Sequence, residues 1–159
     1  MVFVRADSVE GQQIRAKAHR IANQIASIYA ARVGLNIEVH ELTPGYLSYS
    51  TTQLTPSAMF TIDDNCALVF SGFYNTDTTN GRVIEIKKGK ESVTELYIQP
   101  IAKYTEDNRG VDNAFMEWGV WKEGEDISYA FKNPAATDNV DAFPIGFVVI
   151  PEGKIDIVK

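Results

Sequence analysis

The residues that could do chemistry are few and poorly grouped. His19 and His40 are the only histidines, and Cys66 is the only cysteine. Neither histidine belongs to a His-x-x-Glu-His or similar ligand pattern, so a zinc site has no sequence support. Cys66 lies in the apolar run 66–70, where a small buried thiol is expected rather than a nucleophile, and alone it forms no intrachain disulfide. No Gly-x-Ser-x-Gly elbow, P-loop or dinucleotide fingerprint occurs. Glu85, Glu95 and Glu117 fall in expected strands and are the first carboxylates to test as a glycosidase-type pair, although solvated strand faces are the plainer expectation. Three acidic loops, 63–65, 107–113 and 138–141, carry oxygen ligands suited to calcium. None has the EF-hand spacing, Arg109 opposes the second, and Asp and Asn are ordinary turn formers. No catalytic, cofactor or metal residue is assigned, and a non-enzymatic protein is expected.

Trp118, Trp121, Tyr129 and Phe131 gather around one expected turn. In a regular strand Trp118 and Trp121 point to opposite faces, unless Gly119 marks a bulge. An exposed ring of this kind stacks on sugar or anchors a partner. Two core layers, each taking one ring, are the plainer expectation.

These residues must be carried by two unlike parts. A helix is expected from about Asp7 to Arg32. Asp7 can cap its first turn with Glu10 three residues on, and Gly34 suits the left-handed position after its end. Ile14, Ala18, Ile21, Ala22, Ile25, Ile28 and Tyr29 recur at three- and four-residue steps. Ala18, Ala22, Ala26 and Ala30 form a second row at a four-residue step, allowing close approach of another backbone. That backbone can belong to the protein's own sheet or to a neighbour.

After Gly34 the chain reads as strands. Residues 36–42 alternate, with Ile37 and Val39 on one face and Glu38 and His40 on the other. Further strands are expected at 46–49 and 58–62, and 66–74 suits a strand buried on both faces. Hairpins are expected around 88–90, 123–125 and 151–154. The expected fold is therefore α+β: a long N-terminal helix followed by an antiparallel, jelly-roll-like β-sandwich. A single domain is expected over 1–159, with arm and helix in 1–34 and the sandwich in 35–159.

Charge separates the same two parts. Residues 1–34 carry five basic and two acidic groups, net +3; the rest carry ten basic and nineteen acidic groups, net −9; together they give −6. Such a helix can dock on an acidic surface or steer copies head to tail. The sequence pI of about 4.9 disfavours nucleic acid. The helix lacks Trp and Phe on its apolar side, which disfavours a membrane surface. No transmembrane span or signal peptide is expected, and the lone cysteine fits assembly in a reducing cytoplasm.

The arm 1–6, the single helix, the Thr- and Asn-rich turns at 50–55 and 75–80 and the closing segment 147–158 together resemble small structural proteins of tailed-phage virions, especially capsid decoration or cement proteins. The resemblance lies in layout, not in a motif. It implies a homo-oligomer or lattice component that clamps neighbouring capsid subunits in the virion after synthesis in the host cytoplasm. Tail and neck components share the layout, and a carbohydrate-binding or adhesion sandwich is the alternative. The partner-binding residues expected are Arg15, Ala18, Ala22, Ala26, Ala30, Trp118 and Trp121.

Overall fold

A computed structural model describes residues 3–5, 9–43, 46–47, 49–51, 58–75, 82–98, 110–112, 119–131 and 140–159. The helix α1 spans Val9–Val33. Its first expected residues, with the proposed cap Asp7, lie outside the described residues. Its end is as expected: Gly34 adopts φ +70° and donates its N–H to the Ala30 carbonyl at 2.9 Å.

Among the described residues eleven strands accompany it: β1 Phe3–Arg5, β2 Ile37–Glu41, β3 Tyr49–Thr51, β4 Ala58–Thr61, β5 Ala67–Asn75, β6 Arg82–Lys88, β7 Glu91–Ile98, β8 Gly110–Asp112, β9 Val120–Lys122, β10 Asp126–Phe131 and β11 Val140–Pro151. All described pairings are antiparallel. One sheet runs β2-β11-β5-β9, with β3 also on β11; a second runs β4-β10-β6-β7; β1 and β8 form a small third. The chain is thus an α+β protein with the expected helix and antiparallel sandwich. The arm strand β1 is paired within the chain, to β8.

The layers follow from β5. Ala67 and Val69 point to the helix, where they meet Ala18, Ala22, Ile25, Ala26 and Tyr29 together with Phe147 and Val149 of β11. Leu68 and Phe70 point the other way, onto Ile86 of β6, Ile127 of β10 and Trp121 of β9. All four β5 side chains are fully buried. The uninterrupted apolar run is what a strand covered on both faces requires, with each buried Leu, Val or Phe stabilising the fold by roughly 1.5–3 kcal/mol. A register shift between Ile145 and Gly146 interrupts the β11–β5 ladder, and there the two backbones nearly touch. A Cβ on Gly146 would stand 2.0 Å from the Val69 carbonyl oxygen, so only glycine fits.

Two expected hairpins are not hairpins. The turn at Gly89 does join paired strands, β6 and β7. At Gly124, however, the chain changes sheets: β9 pairs with β5, whereas β10 pairs with β4 and β6. Gly124 and Ile62 explain the switch. The Gly124 N–H reaches the Ile62 carbonyl and the Ile62 N–H reaches the Glu125 carbonyl, at 2.8 and 3.0 Å. The closing segment 155–158 likewise does not return along β11. After the turn at Pro151 it crosses to the start of the other sheet, bridging Val158 to Ile62 and burying Ile157 in the sandwich core.

Candidate interaction surface

Among the described partner-binding candidates, most face inward. Ala18 and Ala22 are fully buried and Ala26 nearly so, all against β5 and β11. The alanine row therefore serves the protein's own sheet, which these short side chains let the helix approach closely. Ala30 is partly exposed. Trp121 is fully buried, edge-on to Phe70 at 4.9 Å between centroids, so it is not an exposed anchor or sugar platform. Its indole N–H has no hydrogen-bond partner among the described residues. Trp118 lies outside them.

Arg15 stays at the surface. Its guanidinium pairs with Glu41 of β2 at 2.6 Å, both side chains about half exposed, and lies 5.8 Å from the Phe147 ring centroid. His19 also lies against the Phe147 ring, at 4.8 Å. A pair this exposed contributes at most about 1 kcal/mol. The far end of α1 is pinned more firmly. Arg32 meets Glu123 at 2.6 Å, donates to the Asn65 side-chain oxygen at 3.0 Å and covers the Tyr29 ring at 4.6 Å. The Asn65 N–H also donates to Glu123; this bond first, and then Arg32, hold the Glu123 carboxyl below its ordinary pKa.

The helix does not cover β9 completely. An open groove of about 680 Å³ remains, with Ile21, Ile25 and Ile28 on one wall and Val120 on the other. Ile28 is 63% exposed. Lys17, Lys88 and Lys122 rim the groove with Glu125 as the one acidic side chain of its lining. Ile28 belonged to the helical row visible in the sequence, but Lys88 and Lys122 come from distant strands and carried no signal. The Lys88 amine donates to the Val120 carbonyl at 2.8 Å, the Glu125 carboxylate accepts from the Lys122 N–H at 2.8 Å, and the two side chains pair at 3.2 Å.

A smaller groove, about 250 Å³, lies on the other side of the same sheet, beside β2. His40, Leu42, Tyr46, Val148, Ile150 and Ile155 are among its walls, and Ile155 is 96% exposed. Tyr46 donates to Asp156, and burial pushes its hydroxyl up to about 12. Burial also raises the Cys66 thiol to about 11, which leaves it protonated at neutral pH.

Among the described residues, the remaining candidates for chemistry do not converge. Asp63 of the first acidic loop is occupied by the Lys154 amine at 2.6 Å, which depresses its pKa. The second and third loops fall mostly outside the described residues, as does Glu117. Register sets Glu85 opposite Glu95, and Glu85 is contacted by Ser92 at 3.3 Å and Lys87 at 3.4 Å. Glu85 lines neither groove. Among the described residues no group of three His, Cys, Asp or Glu is placed to hold a metal ion, and no helix is long and apolar enough to cross a membrane. No protein-family model matches the chain, and no curated protein matches it.

Proposed function

We propose that this chain is a non-enzymatic structural protein of a phage virion, of the capsid decoration or cement type, which binds neighbouring virion subunits. The groove between α1 and β9 carries the reading. Its apolar walls and lysine-rich rim fit an acidic segment with apolar side chains, offered by a capsid subunit. The +3 charge of residues 1–34 favours the same partner. The layout of arm, helix and sandwich, which resembles such proteins, supplies the virion context. The sugar-binding alternative gains nothing from Trp121, which is buried, and its other ring, Trp118, lies outside the described residues.

The test is to read the genes that flank the coding sequence and to cosediment the protein with capsids assembled from a major capsid protein found there. Binding is expected, weakened at least about tenfold by Ile28→Asp combined with Lys17→Glu, since an exposed apolar contact and a rim charge are both lost. Circular dichroism should show an unchanged fold, because both side chains face solvent. A strict monomer that binds no capsid in excess, or a coding sequence with no capsid, portal or terminase genes nearby, defeats the proposal.

A further inference from the structure

The two ends of the larger sheet differ in how their outer edges are finished. In an antiparallel ladder, alternate residues turn both backbone groups toward one neighbour and the residues between turn them away. Phe70 donates to the Gly119 carbonyl at 2.7 Å, so on β9 residues 119 and 121 face β5 and residues 120 and 122 face outward. Those outward groups are the ones that Lys88 and Glu125 occupy. An ammonium on the Val120 carbonyl and a carboxylate on the Lys122 N–H, joined as an ion pair, stand where the next strand's donor and acceptor would be. This closes the edge against strand addition.

The opposite edge, β2, has no such cover among the described residues. Leu42 donates to the Gly146 carbonyl at 2.8 Å and Glu152 to the Asn36 carbonyl at 2.9 Å, which fixes the phase of the ladder. Residues 38 and 40 face β11, and Ile37, Val39 and Glu41 turn their N–H and carbonyl groups outward. We propose that this edge pairs with the same edge of a second copy, antiparallel about a two-fold axis at Val39, so that one sheet runs through both protomers.

The phase and the side chains both suit a two-fold contact. With Val39 opposite its own counterpart, the outward residues of the two strands fall opposite one another and make up to about six backbone hydrogen bonds. Glu38 then stands opposite the other copy's His40, and Ile37 opposite its Glu41, so no like charges are directly opposed. Within one chain Glu38 and His40 already approach to 3.2 Å, which sets both side chains on the same face for the cross-strand match. Apolar surface lies alongside: Leu35 is 53% exposed just before β2, and the smaller groove with Ile155 at its mouth borders His40 and Leu42.

This deepens the assembly reading, on which it rests, by naming a partner. Sedimentation equilibrium on the full chain should show a dimer. Val39→Pro should abolish it, because the N–H removed faces outward and is not used by β11. Glu38→Lys and His40→Glu should each weaken dimerisation about tenfold, because each breaks both opposed pairs, and the double exchange should recover it, because each pair then sets a lysine opposite a glutamate. Mixing the Glu38→Lys protein with the His40→Glu protein should also recover it, because position 38 of one copy then faces its complement at position 40 of the other while the 38–40 contact within each chain stays broken; a role within one chain would not produce that recovery, and the mixture keeps the test valid if the proline variant does not fold. A monomer at every concentration, or a dimer indifferent to both Val39→Pro and the exchange, overturns the pairing. A dimer that binds no capsid counts against the virion proposal and not against this one; a capsid-binding monomer does the reverse.

Discussion

At the scale of single residues, Asp63, Glu123 and Lys154 serve the fold. Asp63 was a candidate calcium ligand by sequence. In the fold it receives the Lys154 amine and the Asp64 N–H, and it ties the chain's closing turn to the loop before β5. The Lys154 hydrogen bond is the main cause of its depressed pKa, and Lys154 is raised in turn by Asp63. The sign follows from linkage. A carboxyl whose folded pKa lies below its ordinary 3.8 stabilises the fold above that value, and loses the contribution as pH falls through the depressed one. Glu123 acts with the same sign. Lys154 mirrors them: its contribution is full below 10.5 and is lost at higher pH. Asp63→Asn is therefore expected to flatten the decline of the melting temperature below about pH 4, as read by thermal scans across acid pH. An acid limb identical to that of the unaltered chain would show that the pair has no thermodynamic weight.

At the scale of elements, the helix was the best-defined feature of the sequence, because its period and its terminal glycine are local properties. Which of its rows packs inward was open. The structure assigns Ala18, Ala22 and Ala26 to the sheet, leaving Ala30 partly exposed and Ile28 on the groove. Ala22→Leu adds bulk where helix and sheet are in direct contact and is expected to destabilise by about 1–3 kcal/mol in urea denaturation. Ala30→Leu, at a half-open position of the same row, is expected to change stability by well under about 1 kcal/mol. Equal effects at the two positions would contradict the packing described. The strands divide differently. β5 was legible because a strand covered on both faces has no polar phase, and β2 because it alternates. The turn at Glu123-Gly124-Glu125 was legible as a turn but not as a change of sheet: Gly124 permits φ +79° whichever strand follows, and the partners of β9 and β10 lie elsewhere in the chain.

At the scale of the whole molecule, β5 and β11 join the layers. Their helix-side residues belong to one core, and Leu68, Phe70 and Ile150 on the other side belong to the second. Neither core can open without exposing a strand that the other also needs. Helical circular dichroism and tryptophan fluorescence are accordingly expected to report one coincident unfolding transition in urea, as for a single cooperative domain. Separate midpoints would divide the chain at the helix–sheet boundary. The sequence by itself determined the α+β class, the helix and its end, the doubly buried strand and the charge division, since each depends on residues close together in the chain. Tertiary structure alone decided that the alanine row faces inward, that Trp121 is core, that β9 and β10 belong to different sheets, and that, among the described residues, one sheet edge is capped while the other is left open. Those outcomes depend on contacts such as Lys88 with Val120 or Ile62 with Gly124, between residues whose types and spacing carry no trace of one another.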